Sequence, residues 1–159
     1  MPKRYSGFTL IELLVVIGIL GILLAIVLIA INPAAQFAQA NNTARTNDVN
    51  TILNAMHQYA ADHKGILPPS ASPGVPIPTP PAAAVEISRA GVNICAAISP
   101  DYVSLLPVDP DVNNGAAVAD CTTDYLTGYT IVQDLSGRIT IEAKAEPVRG
   151  VTPIIKITR

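Results

Sequence analysis

Lys3–Ile31 reads KRYSGFTLIELLVVIGILGILLAIVLIAI: two basic residues, then an almost unbroken apolar run that starts at Phe8. As a helix, Phe8–Ile31 would extend about 36 Å at roughly 1.5 Å per residue. A bilayer core of about 30 Å requires around 20 such residues. Positive charge beside a membrane segment is kept on the cytoplasmic side. The run is therefore expected to span a membrane, with the N-terminus in the cytoplasm and the rest of the chain outside.

One carboxylate, that of Glu12, interrupts the apolar run. A charge near the bilayer interior costs roughly 2.5–3.5 kcal/mol, and the run contains no basic residue to pair with it. A cut between Gly7 and Phe8 would create an α-amine four residues before Glu12. In a staggered bundle, Glu12 of one copy could then meet the amine of another copy and fix the axial register. A glutamate that lies near the membrane surface and reaches water is the alternative.

Lys3–Leu13, with its Gly-Phe-Thr-Leu-Ile-Glu core, resembles the signal sequence of type IV pilins and type II secretion pseudopilins. The resemblance implies an α+β, pilin-like fold: a long N-terminal helix and a small C-terminal antiparallel sheet. It implies cleavage after Gly7 by a prepilin peptidase, N-methylation of Phe8 and a role in assembly for Glu12. It further implies a subunit surrounded by inner-membrane lipid, then handed to an assembly platform. The end product is a homopolymeric extracellular pilus or an envelope pseudopilus.

Three residues are predicted to weaken the long helix. Gly18 and Gly21 fall where family helices often carry glycine. Many of those helices also carry a proline inside the apolar segment, whereas here the first proline after the leader is Pro33, just past that segment. Because proline removes a helix hydrogen bond and restricts the residue before it, a break or kink is expected near Asn32.

The residues after the apolar run predict a second, amphipathic helix over 34–64. Its apolar positions recur at spacings of three and four: Val49, Ile52, Leu53, Met56, Tyr59 and Ala60. Lys64-Gly65 is typical of a helix end. His57 and His63 are interpreted as solvated helix residues. The predicted organisation is a leader (1–7), an assembly helix (8–31), its amphipathic continuation (32–65) and a globular head (66–159).

The head is expected to begin with a loop and to end in a sheet. Leu67–Pro81 contains half of the fourteen prolines and predicts an extended connector rather than a docking site for a proline-binding partner. Three strands in an antiparallel meander are predicted from alternating apolar residues and turn signals: Gly128–Gln133, Arg138–Ala143 and Ile154–Thr158. Ala84–Ser99 is ambiguous, with Ile94–Ile98 either a short helix or an edge strand.

Two further features of the head concern its stability. Cys95 and Cys121 are an even pair in an exported domain, which favours a disulfide. Between them, Asp109, Asp111 and Asn113 place oxygen ligands at alternating positions, and Asp120 follows eleven residues after Asp109. This pattern resembles part of a calcium loop. The loop's glycine comes one place late and its last acid is Asp, so a turn-rich solvated loop is the alternative. Apart from this candidate calcium ion, no cofactor is expected.

The sequence favours a structural protein over an enzyme. No phosphate-binding glycine loop, zinc spacing or paired nucleophile is found. With ten basic and twelve acidic residues and no basic stripe, strong nucleic-acid binding is not supported, although contact of a filament with a surface or with DNA stays open. A type IV pilus subunit is the leading interpretation. The alternatives are a secretion pseudopilin, which Leu106–Pro110 resembles, and a membrane-anchored binding module that never polymerises.

An ordinary secretory signal, cut near Ala38-Gln39-Ala40, is also conceivable. It is disfavoured because the apolar run is much longer than the 7–15 residues typical of such signals and ends well before the alanine pair.

Overall fold

The computed structural model describes residues 7–159. The chain divides into two compact units between Phe37 and Ala38. Its helices are α1 (Leu10–Ile31), α2 (Pro33–Asp62) and α3 (Cys95–Ile98), with a short 3-10 turn at Asn113–Gly115. Its strands are β1 (Val85–Ser88), β2 (Leu126–Gln133), β3 (Ile139–Ala143) and β4 (Ile155–Thr158). The fold is thus α+β and pilin-like, as predicted.

Helix α1 is apolar on every side and none of its residues is buried. At 22 residues it is about 33 Å long. It is the one helix within residues 7–159 that is long and apolar enough to cross a membrane. A helix that is hydrophobic all round needs an apolar environment on all sides. The described part of its unit, residues 7–37, buries no residue of α1 and so does not provide that environment.

The predicted break beside Pro33 lies at Asn32. This residue ends α1 in the left-handed conformation, with φ 46° and ψ 78°. Its backbone carbonyl accepts hydrogen bonds from the N–H groups of Ala35 (3.1 Å) and Gln36 (3.4 Å), so the same residue also begins α2. Asparagine tolerates this conformation better than most residues, and Pro33 has no N–H to lose at the first position of a helix.

Helix α2 buries the predicted apolar stripe. Val49, Ile52, Leu53 and Met56 are completely buried, whereas Tyr59 and Ala60 are only half-buried. The helix ends at Asp62, two residues before the predicted end. The chain then turns through Lys64 and Gly65, both at positive φ, and the Gly65 N–H donates to the Ala60 carbonyl (2.7 Å). This 6→1 bond is the usual way to satisfy the last carbonyls of a helix.

The sheet has four antiparallel strands in the order β1-β2-β3-β4, one strand more than predicted. The additional strand, β1, pairs with β2 through Val85↔Ile131 and Glu86↔Thr130. A run of four residues is too short to show a clear alternation of apolar and polar side chains. The backbone of β1 is held in the strand conformation by its pairing with β2. Within the ambiguous stretch Ala84–Ser99, Cys95–Ile98 is a helix and not an edge strand.

The three predicted strands are confirmed, with small shifts at their starts. Strand β2 begins at Leu126, two residues before Gly128, and continues through that glycine at φ 79°. A side chain at position 128 would place its Cβ 2.7 Å from the Cβ of Asp109, so glycine is required there. The residues from 66 to 84 contain no helix or strand, as the proline content predicted.

The core of the second unit lies between the α2 stripe and one face of the sheet. The sheet contributes fully buried side chains from its first three strands: Ile87, Tyr129, Ile131, Ile139 and Ile141. Ile94, Ile98 and Leu106 close the core from the region of α3 and the loop that follows it. Burying one such aliphatic side chain stabilises the fold by about 1.5–3 kcal/mol. The head therefore has a hydrophobic core of its own, which α1 lacks.

Candidate assembly and processing site

The predicted processing and assembly residues lie at the start of α1. Thr9 is the N-cap, and its Oγ1 accepts a hydrogen bond from the Glu12 N–H (3.3 Å). In return, the Thr9 N–H and hydroxyl both donate to Oε2 of Glu12, each at 2.8 Å. This reciprocal capping box satisfies amide donors that would otherwise have no partner at the helix start. Phe8, directly before it, is 89% exposed.

Glu12 has no cationic partner in the part of the chain that the structure describes. Its carboxylate is solvent-exposed and is bound only by Thr9. One carboxylate oxygen is thus held toward the N-terminal end of the helix, close to the backbone of Thr9 and its neighbour Phe8. A carboxylate in this place can accept a cation supplied by another molecule without losing its cap.

Gly18 and Gly21 do not contact anything that would require glycine. A Cβ built at either position meets no atom within 4 Å. Neither glycine is therefore required for packing among the described residues. Both lie on the exposed surface of an apolar helix, where the lack of a side chain leaves the backbone accessible. Small residues of this kind allow helices to approach closely in membranes. Flexibility at Gly18, Gly21 and Pro33 itself remains a prediction.

Residues 2–28 match the family model described as the prokaryotic N-terminal methylation motif. The chain carries a prepilin-type N-terminus. This motif is typical of type IV pilins and pseudopilins. It implies processing by a prepilin peptidase and pilus-type assembly, and it is consistent with anchoring in the inner membrane beforehand. No curated protein and no solved structure matches the chain significantly.

The head of this prepilin-type chain contains a buried ionic cluster around Arg45, whose side chain is only 1% exposed. Its Nε and Nη2 donate to the two carboxylate oxygens of Asp109, at 2.7 Å and 2.9 Å. Nη2 also donates to Asp111 Oδ2 (2.7 Å), and Nη1 donates to Glu146 Oε1 (2.8 Å). The guanidinium thereby joins α2 to two segments that are distant in the sequence.

Asparagine side chains complete the Arg45 cluster. Asn42 Oδ1 accepts from Arg45 Nη1 (3.0 Å) and from the Glu146 N–H (2.8 Å), and Asn42 Nδ2 donates to the Glu146 carbonyl (2.8 Å). Asn41 Nδ2 donates to Glu146 Oε1 (2.8 Å). The hydrogen bonds that Arg45 donates to Asp109 and Glu146, followed by the charges of Asp109 and Asp111, raise the pKa of Arg45. The Asn41 amide and the Arg45 guanidinium lower the pKa of Glu146.

The four residues of the candidate calcium site do not form a calcium shell in this arrangement. Both oxygens of Asp109 and one oxygen of Asp111 are bound to Arg45, whose positive charge would repel a cation. Asp120 instead accepts from the Thr122 N–H and hydroxyl, at 2.8 Å and 2.6 Å. No three acidic, histidine or cysteine side chains converge within residues 7–159 in a way that could hold a metal. Calcium binding remains an untested prediction, and melting curves with calcium and with a chelator would test it.

The predicted disulfide between Cys95 and Cys121 is present. It closes a loop with a sequence separation of 26 residues, and that loop contains Asp109 and Asp111. The same covalent bond therefore fastens α3 to the loop that neutralises Arg45.

The two histidines behave differently, so their common interpretation is wrong for one of them. His63 is exposed, stacks on Tyr59 with ring centroids 3.8 Å apart and hydrogen-bonds the Tyr59 carbonyl. His57 is half-buried, and its Nε2 is buried without a hydrogen-bond partner among the described residues. The reason is its position: it follows Met56 directly and lies one turn after Leu53, at the margin of the buried stripe.

Arg45 is the residue that the sequence reasoning missed. It lies four residues before Val49, and Asn42 lies three residues before Arg45, so both continue the buried stripe toward the N-terminus of α2. The sequence did contain a signal for its burial: a charged residue at a position of the apolar stripe, and acidic residues elsewhere in the chain that could neutralise it. It was overlooked because an isolated arginine on a helix is usually solvated.

Proposed function

We propose that this chain is the structural subunit of a type IV pilus, cleaved after Gly7, methylated at Phe8 and polymerised through α1. The observation that carries the proposal is a prepilin motif on a helix with no buried residue. Such a helix needs lipid before assembly and other helices afterwards. In the filament, copies of α1 form the core and the heads lie outside.

Glu12 supports a specific mode of assembly. The carboxylate lies four residues after Phe8 and is fixed by Thr9, yet it lacks a cationic partner within the described chain. In the proposed filament, Glu12 of one subunit pairs with the α-amine of Phe8 in its neighbour. An ion pair inside an apolar bundle stabilises one axial register, because any other register leaves both charges unpaired.

A secretion pseudopilus is the second candidate, favoured by Leu106–Pro110. This segment resembles the corresponding part of major pseudopilins. Its Leu106 is fully buried, and its Asp109 binds the buried Arg45. The segment therefore has a structural role in the head that is compatible with either filament. The two functions differ in where the filament ends: outside the cell for a pilus and within the envelope for a pseudopilus.

The proposal is tested by substituting Glu12 in cells that express the prepilin peptidase and the assembly machine. We expect Glu12→Ala to insert into the membrane and to be cleaved, but to give no filaments. Glu12→Gln is the matched control for size and capping, because it keeps an oxygen for Thr9 but has no charge. It should also fail if the ion pair sets the register. Electron microscopy and immunoblots of sheared surface material provide the measurement.

Normal filaments from Glu12→Ala would overturn the register mechanism. If the unmodified chain is never found in a filament under these conditions, the alternative of a membrane-anchored binding module is supported instead. Filaments that form only with a secretion machine, and never reach the medium, would favour the pseudopilus.

A further inference from the structure

We propose that an apolar tip on the head of one subunit inserts into a groove on the head of a neighbouring copy. The tip is residues 148–154, and the groove lies beside strand β1 and the disulfide loop. The inference rests on the proposed function, because it assumes that copies of this chain are brought together in a filament. It adds a specific contact between heads to the contacts between α1 helices.

The groove is a cavity in the head with a volume of about 940 Å³. Its apolar walls come from Val112, Ala117, Val118 and Leu126. Leu126 is 56% exposed although it lies at the start of a central strand. Leu126 adds an exposed side chain to this concave apolar surface, and extended apolar patches mark interaction sites on proteins.

The groove is held in shape by the chain around it. Arg89 Nη1 donates to the Cys121 carbonyl (3.0 Å), and the Arg89 N–H donates to the Tyr125 carbonyl (3.1 Å). Cys121 is fixed to α3 by its disulfide. On the opposite wall, the Val118 N–H donates to the Leu106 carbonyl (2.9 Å). A preformed groove lowers the entropic cost of binding a partner.

The tip is a compact turn that presents apolar side chains to solvent. The Val148 and Val151 N–H groups each donate to the carbonyl of the other residue, at 2.8 Å and 3.0 Å. Arg149 and Gly150 form the turn at positive φ. Val151 is 69% exposed and Ile154 is 87% exposed. The tip therefore does not fill the groove of its own chain.

The net charges around the two surfaces are opposite. The groove is lined by Asp120 and Asp124 and by one cation, Arg89, whose Nε lies 3.6 Å from Asp124 Oδ1. The Asp124 side chain is nonetheless fully exposed. Hydrogen bonds from the Thr122 hydroxyl and N–H lower the pKa of Asp120. The tip carries Arg149 and follows Lys144, and neither forms an ion pair within residues 7–159. Opposite charges at the margins of an apolar contact favour this pairing over tip-to-tip or groove-to-groove contacts.

The positions of the two surfaces allow the contact to repeat. Strands β1 and β4 are the two edges of the sheet. The groove adjoins the end of β1 at Ser88, whereas the tip leads into β4 at Ile155. A contact between two different surfaces of the same molecule leaves one free copy of each surface at the ends, so it propagates along an open helical filament.

The test uses cysteine pairs in the full-length chain. Leu126 and Ile154 are both exposed, so Leu126→Cys with Ile154→Cys should not disturb the core. Mild oxidation of filaments from this double variant should give a ladder of dimers and higher multimers on a non-reducing gel. The control is Leu126→Cys with Leu135→Cys, because Leu135 is 86% exposed but lies in the β2–β3 turn, outside the tip. It should stay monomeric.

A second measurement reverses the charges. Asp124→Arg and Arg149→Asp should each lower filament yield, and the double variant should restore it. Filaments that give no ladder with Leu126→Cys and Ile154→Cys would overturn the tip contact and leave the proposed function intact. An equally strong ladder in the control would also overturn it. Absence of filaments from the unmodified chain would contradict both proposals.

Discussion

Helix α1 carries one charged residue, Glu12, and helix α2 carries one fully buried charged residue, Arg45; the two charges are satisfied in different ways. In α2, Arg45 is 1% exposed and binds three carboxylates of its own chain: Asp109, Asp111 and Glu146. In α1, Glu12 meets only Thr9 and has no cation among the described residues. The buried charge of α2 is therefore neutralised within the monomer, whereas the charge of α1 has no counterion among the described residues.

This difference separates folding from assembly. Arg45 connects segments that are distant in sequence, and removing it should harm the head even in a single molecule. Glu12 is available to another molecule, and removing it should harm the filament while the head remains folded. Each prediction below changes one side of the comparison.

The largest effect on the head is expected from Arg45→Met. The change leaves a buried carboxylate, Asp109, without its partner, which typically costs about 3–5 kcal/mol. Urea unfolding of the purified full-length chain, followed by circular dichroism, measures the loss. Arg138→Met is the matched control, because Arg138 also pairs with an acid, Asp134, but is 65% exposed. The control should lose about 0–1 kcal/mol. Equal losses for the two variants would break the comparison.

The disulfide should contribute slightly less than Arg45. Replacing Cys95 and Cys121 by serine releases a loop with a separation of 26 residues, which in the chain-entropy model costs about 3 kcal/mol. The reason is that the unfolded chain gains conformational entropy. In the folded head, the loop that carries Asp109 is no longer bonded to α3. The two changes should be less than additive when combined with Arg45→Met, since both act on that loop. Strict additivity in the same unfolding assay would show that the disulfide does not help to hold the acids around Arg45.

Acid should destabilise the head through its paired carboxylates. The pKa of Glu146 lies below its usual value of 4.5, because of Asn41 and Arg45, and Ser136 with Arg138 lowers the pKa of Asp134 to about 2. A lowered pKa in the folded state contributes stability above the unfolded value, and this is lost as the pH falls through the folded value. The melting temperature should therefore decrease as the pH is lowered beyond about 4.5. The melting temperature of Glu146→Gln should fall less steeply with acid. A pH profile identical to that of the unmodified chain would show that Glu146 does not contribute to this pH dependence.

The smallest effect is expected at Asp48, where the sign is opposite. Burial raises the pKa of this carboxyl, although the Tyr129 hydroxyl donates to it at 2.7 Å. Its charged form is thus less favourable in the folded head than in the unfolded chain. Asp48→Asn keeps an acceptor for Tyr129 and removes the charge, so the melting temperature should rise slightly at pH 7. A fall of several degrees would mean that the charge itself is needed beside Arg45.

The sequence predicted the parts of the fold that depend on local patterns. The apolar run fixed α1, Pro33 predicted the interruption at Asn32, and the spacing of three and four in Val49–Met56 predicted the buried face of α2. The alternating residues of β3 predicted the strand itself, with Ile139 and Ile141 buried. The predicted wet face is only partly confirmed, because Thr140 is buried as well. In each case, the information lies within a few neighbouring residues.

What the sequence did not reveal depends on residues that are far apart. Strand β1 exists because β2 pairs with it, about forty positions away, and its own four residues carry little pattern. Asp109 and Asp111 were interpreted as calcium ligands because their spacing was visible, whereas Arg45, 64 residues before Asp109, was not visible as their partner. Long-range ion pairs have no local signature.

The proposed filament requires that Glu12 of one subunit pairs with the Phe8 amine of its neighbour. The most direct test is to measure the intact mass and the N-terminal sequence of protein from sheared cell-surface filaments. We expect a chain that begins at methylated Phe8, because only that cut supplies the amine that Glu12 lacks. A chain that begins near Asn41, or one that retains Met1 and stays in the membrane fraction, would contradict assembly through α1.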